Sequence, residues 1–116
     1  MYKRQFLHTA LRAVATRGTA APVFANFPVE VAGKTGTGQV LGRNPNGSAK
    51  DDTSWFASFA PLAKPRYAVV MMVSQGGFGA SVSAVGVKDI YSAIFGVTGN
   101  KVDPKYAKLA AGTVTK

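Results

Sequence analysis

The sequence lacks cysteine altogether and contains only one histidine among its 116 residues. Without cysteine, disulfides, thiol nucleophiles and thiolate metal sites are excluded. A lone histidine also leaves no pair of imidazoles to hold a metal. No stretch reaches the roughly 20 apolar residues that a membrane-spanning helix requires, and no signal peptide is visible. Thiol chemistry and thiolate metal centres are therefore ruled out before any motif is considered.

Acidic residues are also scarce. Fourteen Lys and Arg residues stand against five Asp and Glu, which gives a formal net charge of +9. Such a field favours anionic partners such as nucleic acid or lipid headgroups. The charges are scattered, however, and no basic run is longer than Lys3-Arg4. This pattern favours a solvated basic surface. A small nucleic-acid-binding protein stays open as an alternative, and steep salt dependence of DNA binding would be its mark.

The length allows at most one domain. Apolar residues at 47% and charged residues at 16% are typical of a globular chain. The codons TAT AAG AGA CAG would encode residues 2–5, and this string matches the end of a transposon adaptor used in sequencing libraries. We therefore expect residues 1–5 to be a translated artefact and exclude them from fold reasoning. A domain portion is expected at 6–97, followed by a basic tail at 98–116.

Hydrophobic periodicity predicts an α+β piece in which three antiparallel strands are flanked by an N-terminal and a C-terminal helix. Residues 18–28 and 42–52 are rich in turn formers and are expected to be loops. The expected elements are a helix at 6–17, strands at 29–41, 53–61 and 67–75, and a helix at 81–95. The strand at 67–75 is almost continuously apolar, which predicts burial on both faces. Trp55 and Phe56 are expected in the core, and Asp103-Pro104 can open a short helix in the tail.

The Gly-Lys-Thr sequence at residues 33–35 does not form a phosphate-binding loop. That loop requires a glycine five residues before Gly33, and this position is Pro28, which has no N–H to donate. In a strand, Lys34 would share its face with residues that have little or no side chain, namely Ala32, Gly36 and Gly38. A cation in such a cleared lane can stabilise an anion. The alternative is a solvated lysine in a glycine-rich hairpin, which the pattern alone slightly favours.

Three segments carry a resemblance to a known family. They are AGKTGTGQV at 32–40, SWFASFAP at 54–61 and RYAVVMMVSQGGFGA at 66–80. Together they closely resemble the C-terminal part of the transpeptidase domain of penicillin-binding proteins, and LRAVATRGTA before them is similar to the family's preceding helix. The ending VGVKDIYSAIFGV is most similar to class B enzymes of cell elongation or division. The resemblance covers residues 6–97 and implies an incomplete domain of the β-lactamase/transpeptidase-like fold.

The family's signature comprises S-x-x-K, S-x-N and K-T-G. Only the third motif is present, because no serine is followed by lysine at +3 or by asparagine at +2. The resemblance implies that Lys34 bonds toward the missing S-x-N serine, and that the hydroxyls of Thr35 and Thr37 hold the substrate carboxylate. It also makes the Thr37 N–H an oxyanion-hole donor and gives Gly36 the role of admitting substrate. Strict alternation conflicts in part, since it places both threonines opposite Lys34.

By resemblance, the parent protein is a D,D-transpeptidase that cross-links peptidoglycan stem peptides through a serine acyl-enzyme and binds β-lactams. Neither a metal nor a cofactor is implied, and nucleic acid is not an expected partner. The family further implies an anchor in the cytoplasmic membrane of a bacterium, action outside it, and a membrane glycosyltransferase as partner. A β-lactam sensor domain of the same fold is an alternative. Without the nucleophile, this chain alone is expected to be inactive.

Overall fold

The computed structural model describes residues 2–111. Four helices are present in this part of the chain: α1 (Tyr2–Thr16), α2 (Ala21–Phe24), α3 (Ser83–Phe95) and α4 (Ala107–Ala110). The strands are β1 (Ala32–Gly38), β2 (Thr53–Ala60), β3 (Tyr67–Val73), β4 (Val97–Thr98) and β5 (Lys101–Val102), and Pro104–Tyr106 forms a 3-10 turn. The predicted α+β class is confirmed. None of the helices formed by the described residues is long and apolar enough to cross a membrane.

The central sheet is antiparallel, in the order β1-β2-β3. Because directly paired residues project to the same side of a sheet, the register defines two faces. One row runs through Lys34, Ala57 and Val70, and the next runs through Gly36, Trp55 and Met72. We name the side that carries these six residues the lysine face. The opposite side, which carries Thr35, Thr37, Ser54, Phe56, Ser58 and Met71, is the helix face, because α2 and α3 pack on it.

The core lies on the helix face. Phe56 is fully buried there, and its ring stacks on that of Phe24 from α2 with centroids 5.8 Å apart. From α3, the side chains of Tyr91 and Phe95 are also fully buried. Removing a core phenylalanine of this kind costs roughly 3–5 kcal/mol of stability. Gly86 lets the helix backbone approach the sheet, since a Cβ there would collide with the side chain of Met71.

Two buried hydroxyl pairs join β2 to α3. The Ser54 hydroxyl donates to that of Ser83 at 2.7 Å. Ser58 donates to the carbonyl of Val69 at 2.8 Å, and its oxygen lies 2.9 Å from the hydroxyl of Tyr91. Burial raises the pKa of Tyr91 above its ordinary value of 10.0, while the bonds with Ser58 and Val69 act in the opposite direction. The polar groups buried under α3 are thus satisfied by one another.

The structure corrects three sequence predictions. Residues 18–28 are not only loop, because Pro22 occupies the first turn of the short helix α2, where its missing N–H has no helical partner to lose. β3 is not buried on both faces: Val70 is 62% and Met72 53% exposed. Trp55 is not in the core either, and its side chain is exposed on the lysine face. The exposure of β3 and that of Trp55 have one cause, since no helix of residues 2–111 covers the lysine face at these positions.

The two ends of the chain can be compared with the remaining predictions. Helix α1 overlaps the helix predicted at 6–17 but begins at Tyr2 and ends at Thr16, so residues 2–5 form its exposed first turn. The expectation that residues 1–5 are an artefact stays a prediction. In the tail, β4 pairs with β5, and the Asp103 carboxylate accepts from the N–H of Lys105 at 2.9 Å. This cap opens the 3-10 turn that leads into α4, as the sequence predicted. Met1 and residues 112–116, to which the predicted artefact and tail also extend, lie outside the described residues.

Candidate active site

Lys34 stands on the lysine face in the lane that the sequence predicted. Its side chain is exposed, and its ammonium donates to the carbonyl of Thr35 at 2.7 Å. Gly36 and Gly38 follow at alternate positions and leave room beside the side chain of Trp55, which would be their nearest side-chain neighbour. Lys34 therefore shares the lysine face with two glycines, Gly36 and Gly38, and the exposed indole of Trp55 lies beside them.

Thr35 projects to the helix face. The residue is 8% exposed, and its hydroxyl lies 2.7 Å from that of Thr19, in the turn that connects α1 to α2. Either oxygen can be the donor. The contact ties the middle of β1 to the segment that precedes it and engages the Thr35 hydroxyl inside the protein.

Thr37 also projects to the helix face, but near the exposed end of β1. Its hydroxyl accepts a hydrogen bond from the backbone N–H of Gly79 at 3.4 Å. The alternation expected from the sequence is thus found in the structure: both threonines lie opposite Lys34. Of the two hydroxyls, that of Thr37 is the one on an exposed residue.

Gly79 belongs to the β3–α3 loop (residues 74–82), at the end of the segment 66–80 that carries part of the family resemblance. The loop lies against the motif strand, because a Cβ on Gly79 would come within 2.5 Å of the Gly36 carbonyl oxygen and 2.7 Å of that of Trp55. The glycine-rich segment GGFGA could have indicated this contact from the sequence, since glycine permits such close backbone approach. No spacing rule links it to residues some 40 positions earlier in the sequence.

The site therefore contains a cation, a strip of residues with little or no side chain, and a strand end. β1 pairs with β2 alone among the described strands, so no described strand occupies its other edge. The serines of β2, Ser54 and Ser58, are buried on the helix face, where they are hydrogen-bonded to Ser83 and Tyr91. The exposed cation of Lys34 is suited to bind an anion on the other face.

Comparison with known proteins decides the family. The sequence model described as "Penicillin binding protein transpeptidase domain" matches residues 4–92. This chain belongs to that family. The family predicted from the KTG segment and its neighbours is thereby confirmed.

Individual relatives agree with this assignment. The chain is 35% identical over 78 residues to the peptidoglycan D,D-transpeptidase MrdA of Haemophilus influenzae, covering 60% of this chain and 12% of the relative. Pseudomonas aeruginosa PBP2, solved in complex with WCK 5153, is similar with a TM-score of 0.70 and 34% identity, covering 86% of this chain and 20% of that one. A structure titled for the coordination of polymerization and crosslinking by a peptidoglycan synthase complex gives a TM-score of 0.63 at 30% identity, covering 78% and 16%. The chain thus spans about a fifth or less of these relatives.

Proposed function

We propose that this chain is the KTG-bearing portion of a peptidoglycan D,D-transpeptidase. The parent enzyme would cross-link stem peptides through a serine acyl-enzyme, and β-lactams would acylate the same serine. One observation carries the proposal: Lys34 stands in a glycine-cleared lane on β1, whose other edge pairs with no described strand, in a chain of the penicillin-binding protein family. In the family's signature the serine nucleophile belongs to the S-x-x-K motif, and neither this motif nor S-x-N is present in the sequence.

Each motif residue has a distinct role in the proposed reaction. The ammonium of Lys34 supplies positive potential to the negatively charged transition state and bonds toward the S-x-N serine. The backbone N–H of Thr37 donates to the oxyanion, a contact whose loss costs on the order of 3 kcal/mol of barrier. Gly36, having no Cβ, leaves space for the substrate backbone along the edge of β1 that pairs with no described strand.

The threonine hydroxyls are assigned to the terminal carboxylate of the substrate, or to that of a β-lactam. For Thr37 this role is compatible with its exposed position at the strand end. For Thr35 the same role would require the hydroxyl to form a second hydrogen bond in addition to the one with Thr19. A hydroxyl carries one donor and two acceptor sites, so Thr37 is the more direct candidate.

The relatives support a proposal about the wider setting of the parent enzyme. We assign it to the class B type that serves cell elongation or division, anchored in the cytoplasmic membrane with the transpeptidase domain outside it. A membrane glycosyltransferase that makes the glycan strands is the proposed partner. The similarity to a structure described for polymerization and crosslinking by a peptidoglycan synthase complex supports such a partnership.

The test uses the full-length protein that contains this chain. Fluorescent penicillin should label one serine of an S-x-x-K motif, and a peptidoglycan substrate should yield cross-linked product. Labelling without cross-linking would identify a β-lactam sensor instead. Absence of both would contradict the proposed function.

A further inference from the structure

We infer that Gly79 is a positioning residue for Thr37, holding the hydroxyl of that threonine in the orientation that receives the substrate carboxylate. The inference rests on the proposed function and adds to the site a residue from the β3–α3 loop. Its evidence is the contact between this loop and the motif strand.

The β3–α3 loop lies close to the motif strand β1. Gly79 is buried, and a Cβ on it would lie 2.5 Å from the Gly36 carbonyl oxygen and 2.7 Å from that of Trp55. Real side chains do not tolerate such distances to backbone atoms. Glycine is therefore required for the loop to rest on the backbone of β1 and β2 at the level of the motif.

The second step is the hydrogen bond that this closeness permits. The N–H of Gly79 points at the hydroxyl oxygen of Thr37, 3.4 Å away. A threonine hydroxyl has two acceptor lone pairs and one hydrogen to donate. When the Gly79 N–H occupies one lone pair, the Thr37 hydrogen is left to donate to another acceptor. A carboxylate accepts hydrogen bonds and donates none when ionised, so the hydroxyl is prepared for that kind of ligand.

The third step is the anchoring of the loop. Upstream of Gly79, the N–H of Gly77 donates to the carbonyl of Asp52 at 2.8 Å. Downstream, the N–H of Ser83 donates to the Ser54 hydroxyl at 3.2 Å. Both anchors are on or next to β2, the strand that pairs with the motif strand. The position of Gly79 is thus fixed by the sheet, and the orientation of Thr37 follows from it without any ligand.

The test measures second-order acylation by two β-lactams, one with its carboxylate free and one with that group converted to a neutral ester, in the full-length protein. Gly79→Ala should slow acylation by the free acid about 10-fold, the scale of one hydrogen bond to a charged group, and by the ester less than about 3-fold. In a Thr37→Val background the same change should cost under about 3-fold with either ligand, because coupled residues are not additive. Ser81→Ala, an exposed change in the same loop, is the matched control and should retain the parent rates.

Hydrogen exchange gives a second measurement that does not depend on the folding of the alanine variant. In Thr37→Val the Gly79 amide loses its acceptor and should exchange faster, whereas Thr37→Ser should keep the parent rate. Equal losses with both ligands, an additive double mutant, or unchanged exchange in Thr37→Val would each overturn the inference. A parent protein that no β-lactam acylates would contradict the proposed function, while the exchange result would still report on the contact.

Discussion

The hydroxyls of Thr19 and Thr35 lie 2.7 Å apart, 16 positions apart in the sequence. One belongs to the turn between α1 and α2, and the other to the middle of the motif strand. The segment before the motif therefore does more than lead into it, because it holds β1 from the helix face while Lys34 projects from the other.

Thr19→Val should destabilise the protein by about 1–3 kcal/mol, because it leaves the buried Thr35 hydroxyl without this partner. Thr19→Ser keeps the hydroxyl and should lose less than about 0.5 kcal/mol. Denaturant unfolding of the complete transpeptidase domain would measure both. If valine and serine are equally damaging, packing of the Thr19 methyl group, and not the hydrogen bond, is what matters.

Lys34→Ala should lower the second-order rate of acylation by a β-lactam by at least about 100-fold, the scale for losing a transition-state contact. Lys64→Ala removes another exposed positive charge, between β2 and β3, and serves as the matched control. Rates of the full-length protein and its variants would be compared under one set of conditions. A loss under threefold in the Lys34 variant would mean that this lysine is a surface residue.

Thr37→Val should weaken recognition of the substrate carboxylate and leave the backbone oxyanion donor in place. A missing hydrogen bond to a charged group costs about 1.5–3 kcal/mol, so the effect should depend on the ligand. Converting the β-lactam carboxylate to a neutral ester should remove most of the difference between parent and variant. Equal impairment with both ligands would contradict the assigned role.

Tyr91 should make the stability of the fold sensitive to strongly basic pH. Its pKa in the fold is raised above 10.0 by burial, so the unfolded chain loses the phenolic proton at lower pH than the folded one. Its contribution is fully present below about pH 10 and is lost as the pH rises through the folded pKa. Unfolding measured from pH 8 to 11 should show this loss, and Tyr91→Phe should show a smaller one. Parallel curves for the two proteins would contradict the prediction.

The isolated 116-residue chain should aggregate or stay partly molten and take no label from fluorescent penicillin. Val70 and Met72 are exposed on the lysine face, and the outer edge of β3 has no partner among the described strands. A long apolar edge is a template for pairing with other chains. Adding the upstream part of the domain in trans should improve both solubility and labelling. A monomeric chain that melts cooperatively and labels at a defined serine would show that it is a complete unit.

Much of the fold could be predicted because the signals were local. The periodicity of α3 and the turn formers before β2 determine their elements within a few residues. Exposure could not be predicted for Val70 or Trp55, since burial depends on what covers a sheet face, and the sequence of one strand does not contain that information. Composition had indicated core positions for both.

In the candidate site, too, local features could be predicted from the sequence and tertiary contacts could not. The lane around Lys34 follows from alternation along one strand, and alternation also placed both threonines on the far side correctly. The partners of those threonines could not be foreseen, because Thr19 and Gly79 reach them from loops whose paths depend on tertiary packing. Short-range patterns thus identified the motif, and long-range contacts supplied what holds it.

The two hydroxyl pairs beneath α3 fix the position of this helix along β2. Ser83 and Tyr91 are eight positions apart, about 12 Å along a helix. Their partners Ser54 and Ser58 are four positions apart, about 13 Å along a strand. Because these two distances are nearly equal, both hydroxyl pairs can form in one alignment of α3 on β2. A helix displaced by one turn would break both contacts and leave the buried hydroxyls of Ser83 and Tyr91 without these partners. These serines thus determine which alignment of helix and strand the chain adopts, beyond any contribution to how stable it is.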